Sequence, residues 1–435
     1  SALVPEAVPR IRQDLLDGGW WMIRLLERWA VDVPLVLGVI ALTAFGIAVI
    51  YSAGVVHVPN AVTTGAWIRQ TQWFVIALVA FSVLSRIPLR WIEWAAVPSY
   101  VVSVVLLALT LLIGVGRGTA QGVKSWIDLG FIEFQPSEIA KLTTILVLAR
   151  LLYRRQSPLT SLRDLLAPAA LVGLPLLLVM LQPDLGTGMA FVGILFAVLY
   201  WAATPVWLLL LVASPVVGLF LSYNTMVWSV YILAVFGFLI GLRYRLYLFE
   251  SVAVVLANFA TATISRPLWN SLAPYQRNRI LVFLDPEVDP RGAGYHVIQS
   301  KVAVGSGGFG GQGFTLGSQK RLDFLPEQHT DFIFSVIGEE LGFVGTTIAI
   351  LAFAYILVRL VRMAENAPDP FAGLVLLGIF GAWLVHIFVN IGMTIGVTPI
   401  TGIPLPFVSY GGTFLLMSWV AVARAVRVAH DAERS

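Results

Sequence analysis

The richest cluster of ionisable side chains lies between residues 277 and 301. Three carboxylates stand within five residues of one another there, and basic side chains flank them on both sides. The acidic members are Asp285, Glu287 and Asp289, and the basic members are Arg277, Arg279, Arg291 and Lys301. A carboxylate can act as a general base, and arginine binds phosphate through paired hydrogen bonds. The cluster therefore suits transfer chemistry on an anionic substrate, although Asp-Pro steps are also ordinary in solvated turns.

A second cluster has the sequence Gln-Pro-Ser-Glu-Ile-Ala-Lys at residues 135–141. Pro136 suits the first turn of a helix, and Glu138 and Lys141, three residues apart, share one helix face. A capped helix start with a local ion pair explains the same pattern. Lys141, however, falls in an apolar segment, where an ionisable group is costly and is a functional candidate by default.

Three further motifs place polar groups at the ends of apolar segments. Asp184, in Gln-Pro-Asp-Leu-Gly-Thr, either contributes to a site or caps the following helix. Residues 399–412, which include Ser409, are rich in Pro and Gly, and this predicts a broken helix entry covered by protein or by a watery cavity. The glycine run at 305–317 lacks the Gly-Lys-Ser/Thr ending of a phosphate-binding loop, so we do not interpret it as a nucleotide site.

The composition identifies the class of protein that holds these clusters. The 435 residues include 28 basic and 24 acidic side chains, or 12% charged, whereas 58% are hydrophobic and the mean hydropathy is +0.86. Soluble domains carry about 25% charged residues, so this chain is predicted to be an integral membrane protein. The absence of Cys excludes thiol chemistry, and five separated His make a zinc site improbable. No basic stripe with aromatic residues is present, which argues against nucleic-acid binding.

Twelve apolar segments approach the roughly 20 residues that a bilayer-spanning helix needs. Their expected cores are 33–54, 71–86, 94–114, 137–153, 165–181, 188–203, 205–222, 226–242, 246–264, 332–360, 371–395 and 405–426. The predicted fold class is thus an all-α polytopic membrane protein with about twelve helices. We divide it into an N-terminal lead (1–32), helices 1 to 9 (33–264), one large loop (265–330), helices 10 to 12 (331–429) and a tail (430–435).

The distribution of Lys and Arg predicts the orientation. Seventeen of these residues fall in the loops of one side and three in the short loops of the other. Because positive charge marks the cytoplasmic side, both termini are predicted to be cytoplasmic, and the loop 265–330 to lie outside the cell. That loop keeps many apolar residues, so we expect an ordered cap that partly dips among the helices.

Long strings of sequence resemble a known family. They read Gly-Ala-Gly-Tyr-His-Val-Ile-Gln-Ser-Lys at 292–301, Phe-Leu-Pro-Glu-Gln-His-Thr-Asp-Phe-Ile-Phe at 324–334 and Gly-Ile-Pro-Leu-Pro-Phe-Val-Ser-Tyr-Gly-Gly at 402–412. With the two Gln-Pro motifs, they resemble the SEDS family (shape, elongation, division and sporulation) over most of residues 33–429. Within that family the strings are more similar to the cell-elongation branch (RodA) than to the division branch (FtsW).

The resemblance implies a peptidoglycan glycosyltransferase in the bacterial cytoplasmic membrane. Members polymerise lipid II on the outer face of this membrane and release undecaprenyl pyrophosphate. The essential aspartate of the family precedes the Pro-x-Gly-x-Gly-Tyr string, which here makes Asp289 the expected general base. The residues expected to bind substrate are Glu138, Lys141, Asp184, Arg277, Arg279, Lys301, Glu327, His329, Asp331 and Ser409.

The resemblance also raises points that the residues leave open. A divalent cation, magnesium or manganese, could assist the leaving pyrophosphate, and a class B penicillin-binding protein is the implied membrane partner. A flippase or transporter of the lipid-linked precursor, or a non-catalytic scaffold for such a partner, are the alternative functions. The family usually has ten spans, so the two extra apolar segments between about 226 and 264 are a departure without an assigned role.

Overall fold

The computed structural model describes residues 32–57, 64–116, 124–128, 130, 133–155, 157–242, 247–290, 292–322, 324–325 and 327–432. Apart from Asp32, the predicted lead at 1–32 lies outside the described residues. Residues 433–435 of the predicted tail also lie outside them.

The described part of the chain is dominated by twelve helices of at least 16 residues. They are α1 (Val33–Ala53), α2 (Ala66–Leu84), α3 (Leu89–Ile113), α4 (Pro136–Tyr153), α5 (Leu166–Leu181), α6 (Leu185–Trp201), α7 (Val206–Leu221), α8 (Thr225–Gly241), α9 (Leu248–Ser271), α13 (Ile333–Glu365), α14 (Pro370–Ile395) and α15 (Gly412–Ala432). The shorter helices are α10 (Pro274–Leu284), α11 (Ala293–Ser306) and α12 (Ser318–Arg321). Each of the twelve expected segments overlaps one long helix.

Eight of these helices are long and apolar enough to cross a membrane by length and composition. Three more, α6 to α8, are apolar but shorter, and α4 contains Glu138, Lys141 and Arg150. The prediction of a helical integral membrane protein is therefore confirmed. The chain departs from a strictly all-α structure by one small antiparallel hairpin before α4, formed by β1 (Ile127–Asp128) and β2 (Glu133–Phe134).

The centre of the bundle is α14, which packs against α4, α6 and α13. Within its apolar window 72% of the residues are buried, against 11% for α2. Asp369 caps its first turn by accepting a hydrogen bond from the Ala372 amide at 2.7 Å. Gly396 ends it in the left-handed conformation with φ of 76°. Side chains that α14 carries inward are thus held by neighbours on several sides.

The two extra apolar segments correspond to α8 and α9. These two helices form a peripheral group with α7. α9 packs chiefly on α7, and a separate small core joins the three helices through Leu211, Val235, Leu239 and Val254. Polar side chains also join them, since Asn258 donates a hydrogen bond of 3.0 Å to the Ser214 hydroxyl.

The predicted loop at 265–330 is largely helical. Its predicted start is too early, because α9 continues to Ser271. The segment then contains α10, a 3-10 turn at Pro286–Val288, α11 and α12. α11 packs against α13 and α14, so this part of the chain lies against the bundle.

The glycine run covers a break in α13. Gly342, with φ of 62° and ψ of −156°, interrupts the helix. The freed amides of Phe343 and Val344 donate to the carbonyl oxygens of Gly308 and Phe309, at 2.9 and 3.1 Å. A Cβ at Gly311 would lie 2.0 Å from the Glu340 carbonyl oxygen, so only glycine allows this close approach. The run therefore satisfies backbone groups that a broken membrane helix exposes.

The last predicted segment, 405–426, begins too early. α15 starts at Gly412, and no regular secondary structure is present from 399 to 405. Prolines at 399, 404 and 406 lack the amide that a helix needs, and Gly402 and Phe407 have positive φ. The predicted broken helix entry is thus present, and its length moves the start of the helix.

Candidate active site

A buried lysine lies near the start of α4. The ammonium of Lys141 lies 2.9 Å from the carboxylate of Glu138 and 2.8 Å from Nε2 of His386. It also lies 5.2 Å from the ring centroid of Phe414 on α15. Lys141 and Glu138 are only 6% and 4% exposed. A charged group this far from solvent needs these partners, because an unpaired ammonium would be costly to bury.

His386 is a site residue that the sequence did not reveal. It stands alone in the apolar run of α14, and its contact with Lys141 joins residues 245 positions apart. Its Nδ1 lies 3.0 Å from the Pro404 carbonyl oxygen. Because a carbonyl only accepts, Nδ1 carries the proton and Nε2 is free to accept from Lys141. The one sequence signal that could have found it is that it is an ionisable residue in a membrane segment.

The side chains of Lys141, Glu138 and His386 line a cavity of about 40 Å³ between α4, α14 and α15. Glu138, Lys141, His386 and Ser418 supply its polar side chains. Its remaining lining residues are Leu142, Ile145, Ile379, Ala382, Trp383, Phe414, Met417 and Ala421. The arrangement is an ion-paired ammonium beside a largely apolar wall, with space for a few water-sized groups such as an anionic oxygen of a ligand.

A second cluster of charges lies at the start of α13. Burial, together with the neighbouring carboxylate of Glu327, raises the pKa of Asp331 to about 7. Arg279 opposes this effect and Asp184 adds to it. Asp184 also interacts electrostatically with Glu138, which links this cluster to the lysine site. The fold therefore brings Arg279, Glu327, Asp331 and Asp184 together, although they come from three separate parts of the sequence.

His296 on α11 faces the same cluster. Burial and the positive charge of Arg279 lower its pKa, while Glu327 acts in the opposite sense. Its ring also stacks with Phe332, with the centroids 6.0 Å apart. A neutral imidazole at this position can donate or accept a hydrogen bond at neutral pH.

Asp184 caps the start of α6, as the alternative to a site role predicted. Its carboxylate accepts hydrogen bonds from the Thr187 amide at 3.0 Å and the Thr187 hydroxyl at 2.8 Å. It still contributes a negative charge to the cluster around Asp331. The two interpretations are therefore compatible.

Asp289 follows the 3-10 turn and is half-buried. Its Oδ1 accepts a hydrogen bond from the Gly292 amide at 3.0 Å, and its carbonyl oxygen accepts one from the Gly294 amide at 3.0 Å. A Cβ at position 292 would lie 2.3 Å from Oδ2, so a larger residue there would displace this carboxylate. The neighbouring Asp285 instead caps the turn through the Glu287 amide at 3.0 Å.

Three expected substrate ligands have other contacts. Arg277 donates a hydrogen bond to the Asn270 carbonyl at the end of α9. Lys301 is exposed and its side chain lies over Gly396, at the end of α14. Ser409 is buried, and its hydroxyl accepts from the Leu405 amide at 2.8 Å and donates to the Thr330 carbonyl at 2.7 Å. These contacts favour structural roles for Arg277 and Ser409.

His329 lies where the turn before α13 meets the segment before α15. Its main-chain carbonyl accepts a hydrogen bond from the Tyr410 amide at 2.9 Å, and the two rings lie 5.5 Å apart. With the Ser409 bond, this ties residues 329–331 to the segment before α15. Within the described residues, no three His, Asp or Glu side chains are grouped so that they could hold a metal ion. The divalent cation stays a prediction, because a cation bound by a substrate pyrophosphate needs only one or two protein carboxylates.

Comparison with known proteins agrees with this architecture. The family model for the FtsW, RodA and SpoVE cell cycle proteins matches residues 33–434. The chain belongs to the SEDS family. The SEDS protein MrdB of Escherichia coli, named a peptidoglycan glycosyltransferase, is 38% identical over 85% of this chain and 86% of its own. The SEDS protein RodA of Treponema pallidum, also named a peptidoglycan glycosyltransferase, is 33% identical over 90% and 95%.

A chain of known structure has the same fold. It comes from a study of how a peptidoglycan synthase complex coordinates polymerization and crosslinking, and the two chains superpose with a TM-score of 0.68 at 30% identity. The match covers 93% of this chain and 99% of the other. The expected SEDS membership is therefore confirmed over nearly the whole length.

Proposed function

We propose that this protein is a peptidoglycan glycosyltransferase that polymerises lipid II. The observation that carries the proposal is the buried, ion-paired Lys141 ammonium in a largely apolar-walled cavity, which Asp184 links electrostatically to the charge cluster of Arg279 and Asp331. Lipid II combines a pyrophosphate, which needs positive charge, with a polyprenyl tail, which needs an apolar surface. The relatives MrdB and RodA are both named peptidoglycan glycosyltransferases, which supports transfer of a peptidoglycan sugar.

The reaction joins two sugars and inverts the donor's anomeric carbon. We assign Asp289 as the general base that takes the proton of the acceptor 4-hydroxyl as its oxygen attacks that carbon. The bond between this carbon and the pyrophosphate oxygen breaks, and undecaprenyl pyrophosphate leaves with the bonding electrons. Lys141 and Arg279 are the cations best placed by burial and neighbours to stabilise the negative charge that develops.

The other assigned ligands would contact the donor and acceptor headgroups. Glu138 pairs with Lys141, and Asp184, Glu327, His329 and Asp331 would supply hydrogen-bonding groups to the headgroups. Lys301, which is exposed and lies over the end of α14, completes this proposed set.

The proposed topology follows from the charges of the loops. Twelve membrane crossings would leave both termini in the cytoplasm, with α10 to α12 and Asp289 outside the cell. Lipid II is polymerised on that outer face, so the proposal requires the polar site to lie on the same side. Localisation in the bacterial cytoplasmic membrane is part of the same proposal.

A class B penicillin-binding protein is the proposed partner. The similar solved structure comes from a complex that couples polymerization with crosslinking. A crosslinking enzyme would consume the glycan strands that this protein makes, so a stable membrane complex keeps the product close to the second active site.

The test is polymerisation of lipid II by the purified protein with its partner. Wild type should make glycan strands, Asp289→Asn should make none, and Glu287→Gln, an exposed neighbour of the same charge type, should retain activity. Strand synthesis by Asp289→Asn would refute the assigned base. Transport of lipid II across vesicles without synthesis would favour the flippase, and partner activation by both variants without synthesis would favour the scaffold.

A further inference from the structure

We propose that His386 is a positioning residue that orients the Lys141 ammonium and couples it to the loop before α15. The inference rests on the proposed function, since it names a second residue on which that site depends. It starts from two contacts on opposite sides of one ring: Nε2 with Lys141 at 2.8 Å, and Nδ1 with the Pro404 carbonyl at 3.0 Å.

The donor and acceptor groups of the partners fix the direction of both hydrogen bonds. The Pro404 carbonyl accepts, so Nδ1 holds a proton, and the lone pair of Nε2 accepts from the ammonium. A lysine ammonium has three N–H bonds, of which the described contacts assign one to Glu138 and one to His386. The third remains for an anionic oxygen in the cavity that Lys141 lines. His386 therefore selects the direction in which Lys141 presents its charge.

The ring itself is held in place. His386 is 1% exposed and stacks on Phe414, with centroids 4.9 Å apart and planes at 27°. Phe414 also lies under the Lys141 ammonium at 5.2 Å. Lys141, His386 and Phe414 thus contact one another in a closed triangle that spans α4, α14 and α15. A flexible four-carbon side chain is held in one rotamer by this triangle, and pre-organisation of this kind is what a positioned cation needs.

The hydrogen bond to Pro404 also connects His386 to a second part of the site. Residues 404 to 409 belong to the segment that Ser409 ties to Thr330, one residue before Asp331. His386 therefore connects the lysine site to the loop that neighbours the carboxylate cluster. A shift of this loop on substrate binding would be transmitted to the ammonium through the two hydrogen bonds of His386.

Two near-isosteric variants separate the two contacts. In His386→Gln the amide oxygen can reach the former position of Nε2 and accept from Lys141, but the bond to Pro404 is lost. In His386→Asn the shorter amide can still donate to Pro404, but it cannot reach Lys141. His57→Asn, at an exposed histidine after α1, controls for loss of an imidazole elsewhere.

The experiment measures kcat and KM for lipid II polymerisation, and binding of farnesyl pyrophosphate as an independent probe. We expect His386→Asn to lower kcat about 10- to 100-fold, by analogy with residues that orient metal ligands, and to weaken farnesyl pyrophosphate binding at least tenfold. His386→Gln should recover most of both losses. Thermal midpoints of the two variants should be similar, since each keeps one of the two hydrogen bonds.

A double-mutant cycle with Lys141→Met, read by farnesyl pyrophosphate binding, completes the test. If His386 acts through Lys141, adding His386→Asn to Lys141→Met should cause no further loss of binding. Additive losses, or better activity and binding in His386→Asn than in His386→Gln, would overturn the inference. If wild type binds farnesyl pyrophosphate with this pattern but makes no glycan, the proposed function fails and the positioning role stands. If wild type does not bind the probe, the positioning role fails whatever the polymerisation result.

Discussion

The Ser409 hydroxyl donates a 2.7 Å hydrogen bond to the main-chain carbonyl of Thr330, although the two residues are 79 positions apart. The same hydroxyl accepts from the Leu405 amide. One side chain thus joins the segment before α15 to the turn that holds Asp331. This bond explains why a serine expected to bind substrate is instead buried and occupied.

Ser409→Ala should destabilise the protein by roughly 2–4 kcal/mol. Two buried main-chain groups would lose their partner, and each such loss costs about 1–3 kcal/mol. Thermal unfolding in detergent measures the effect. Thr413→Val is the matched control, because its buried hydroxyl has no hydrogen-bond partner among the described residues. Equal midpoints for the two variants would contradict a structural role for Ser409.

A buried ion pair holds α12 against α1 and α13. Lys320 is fully buried, pairs with Glu340, and donates to the Ser52 carbonyl and hydroxyl oxygens, both at 2.6 Å. Burial lowers the pKa of Lys320, and the adjacent carboxylates oppose that effect. This pair anchors one end of the glycine run that covers the break in α13.

Lys320→Met should cost about 3–5 kcal/mol, because it leaves the Glu340 charge buried and unpaired. The double variant Lys320→Met with Glu340→Gln should recover a large part of this loss, since neither charge then remains. Unfolding measured at one pH for all three proteins checks the prediction. A double variant less stable than Lys320→Met would show that the charge of Glu340 is not the cause.

The raised pKa of Asp331 leads us to expect that the stability of the protein depends on pH. Its pKa in the folded protein is about 7, above the ordinary value near 3.8, so the folded state binds more protons than the unfolded state between these values. The contribution of this carboxyl group to the free energy of unfolding is therefore greatest below about pH 4, and it is lost as pH rises through about 7. Asp331→Asn should be more stable than wild type at pH 8, by roughly 1–3 kcal/mol, and similar to it near pH 4. Unfolding midpoints across this range should show no such crossover for Glu287→Gln.

The polar contacts of α7 to α9 lead to a different expectation. Asn258 bonds Ser214, and the Tyr231 hydroxyl donates to the Ser214 carbonyl at 2.6 Å. Hydrogen bonds between membrane helices contribute about 0.6–2 kcal/mol. Asn258→Leu should lower the thermal midpoint slightly and leave polymerisation within about twofold of wild type, because these helices do not line the lysine cavity. Thr263→Val on exposed α9 surface is the control, and a large loss of activity in Asn258→Leu alone would give the peripheral helices a functional role.

The sequence alone was sufficient for the class, the helix positions and part of the site. Apolar runs predicted the helices because a membrane requires each segment to satisfy its own backbone hydrogen bonds. Glu138 and Lys141 were recognisable because they stand three apart in an apolar segment, and the strings at 292–301 and 402–412 carried the family resemblance. These are local features, and local features can be read along the chain.

Only the tertiary structure decided which side chains meet. The contact of Lys141 with His386 and the pairing of Lys320 with Glu340 join side chains on different helices. The tertiary structure also shows that Ser409 and Arg277 make contacts within the protein. It brings Asp331 close to Glu327 and Arg279. The physical reason is that an isolated helix fixes which residues share a face, whereas the packing of helices fixes which faces touch. A lone histidine in an apolar run becomes part of a site only when that packing brings a lysine to it.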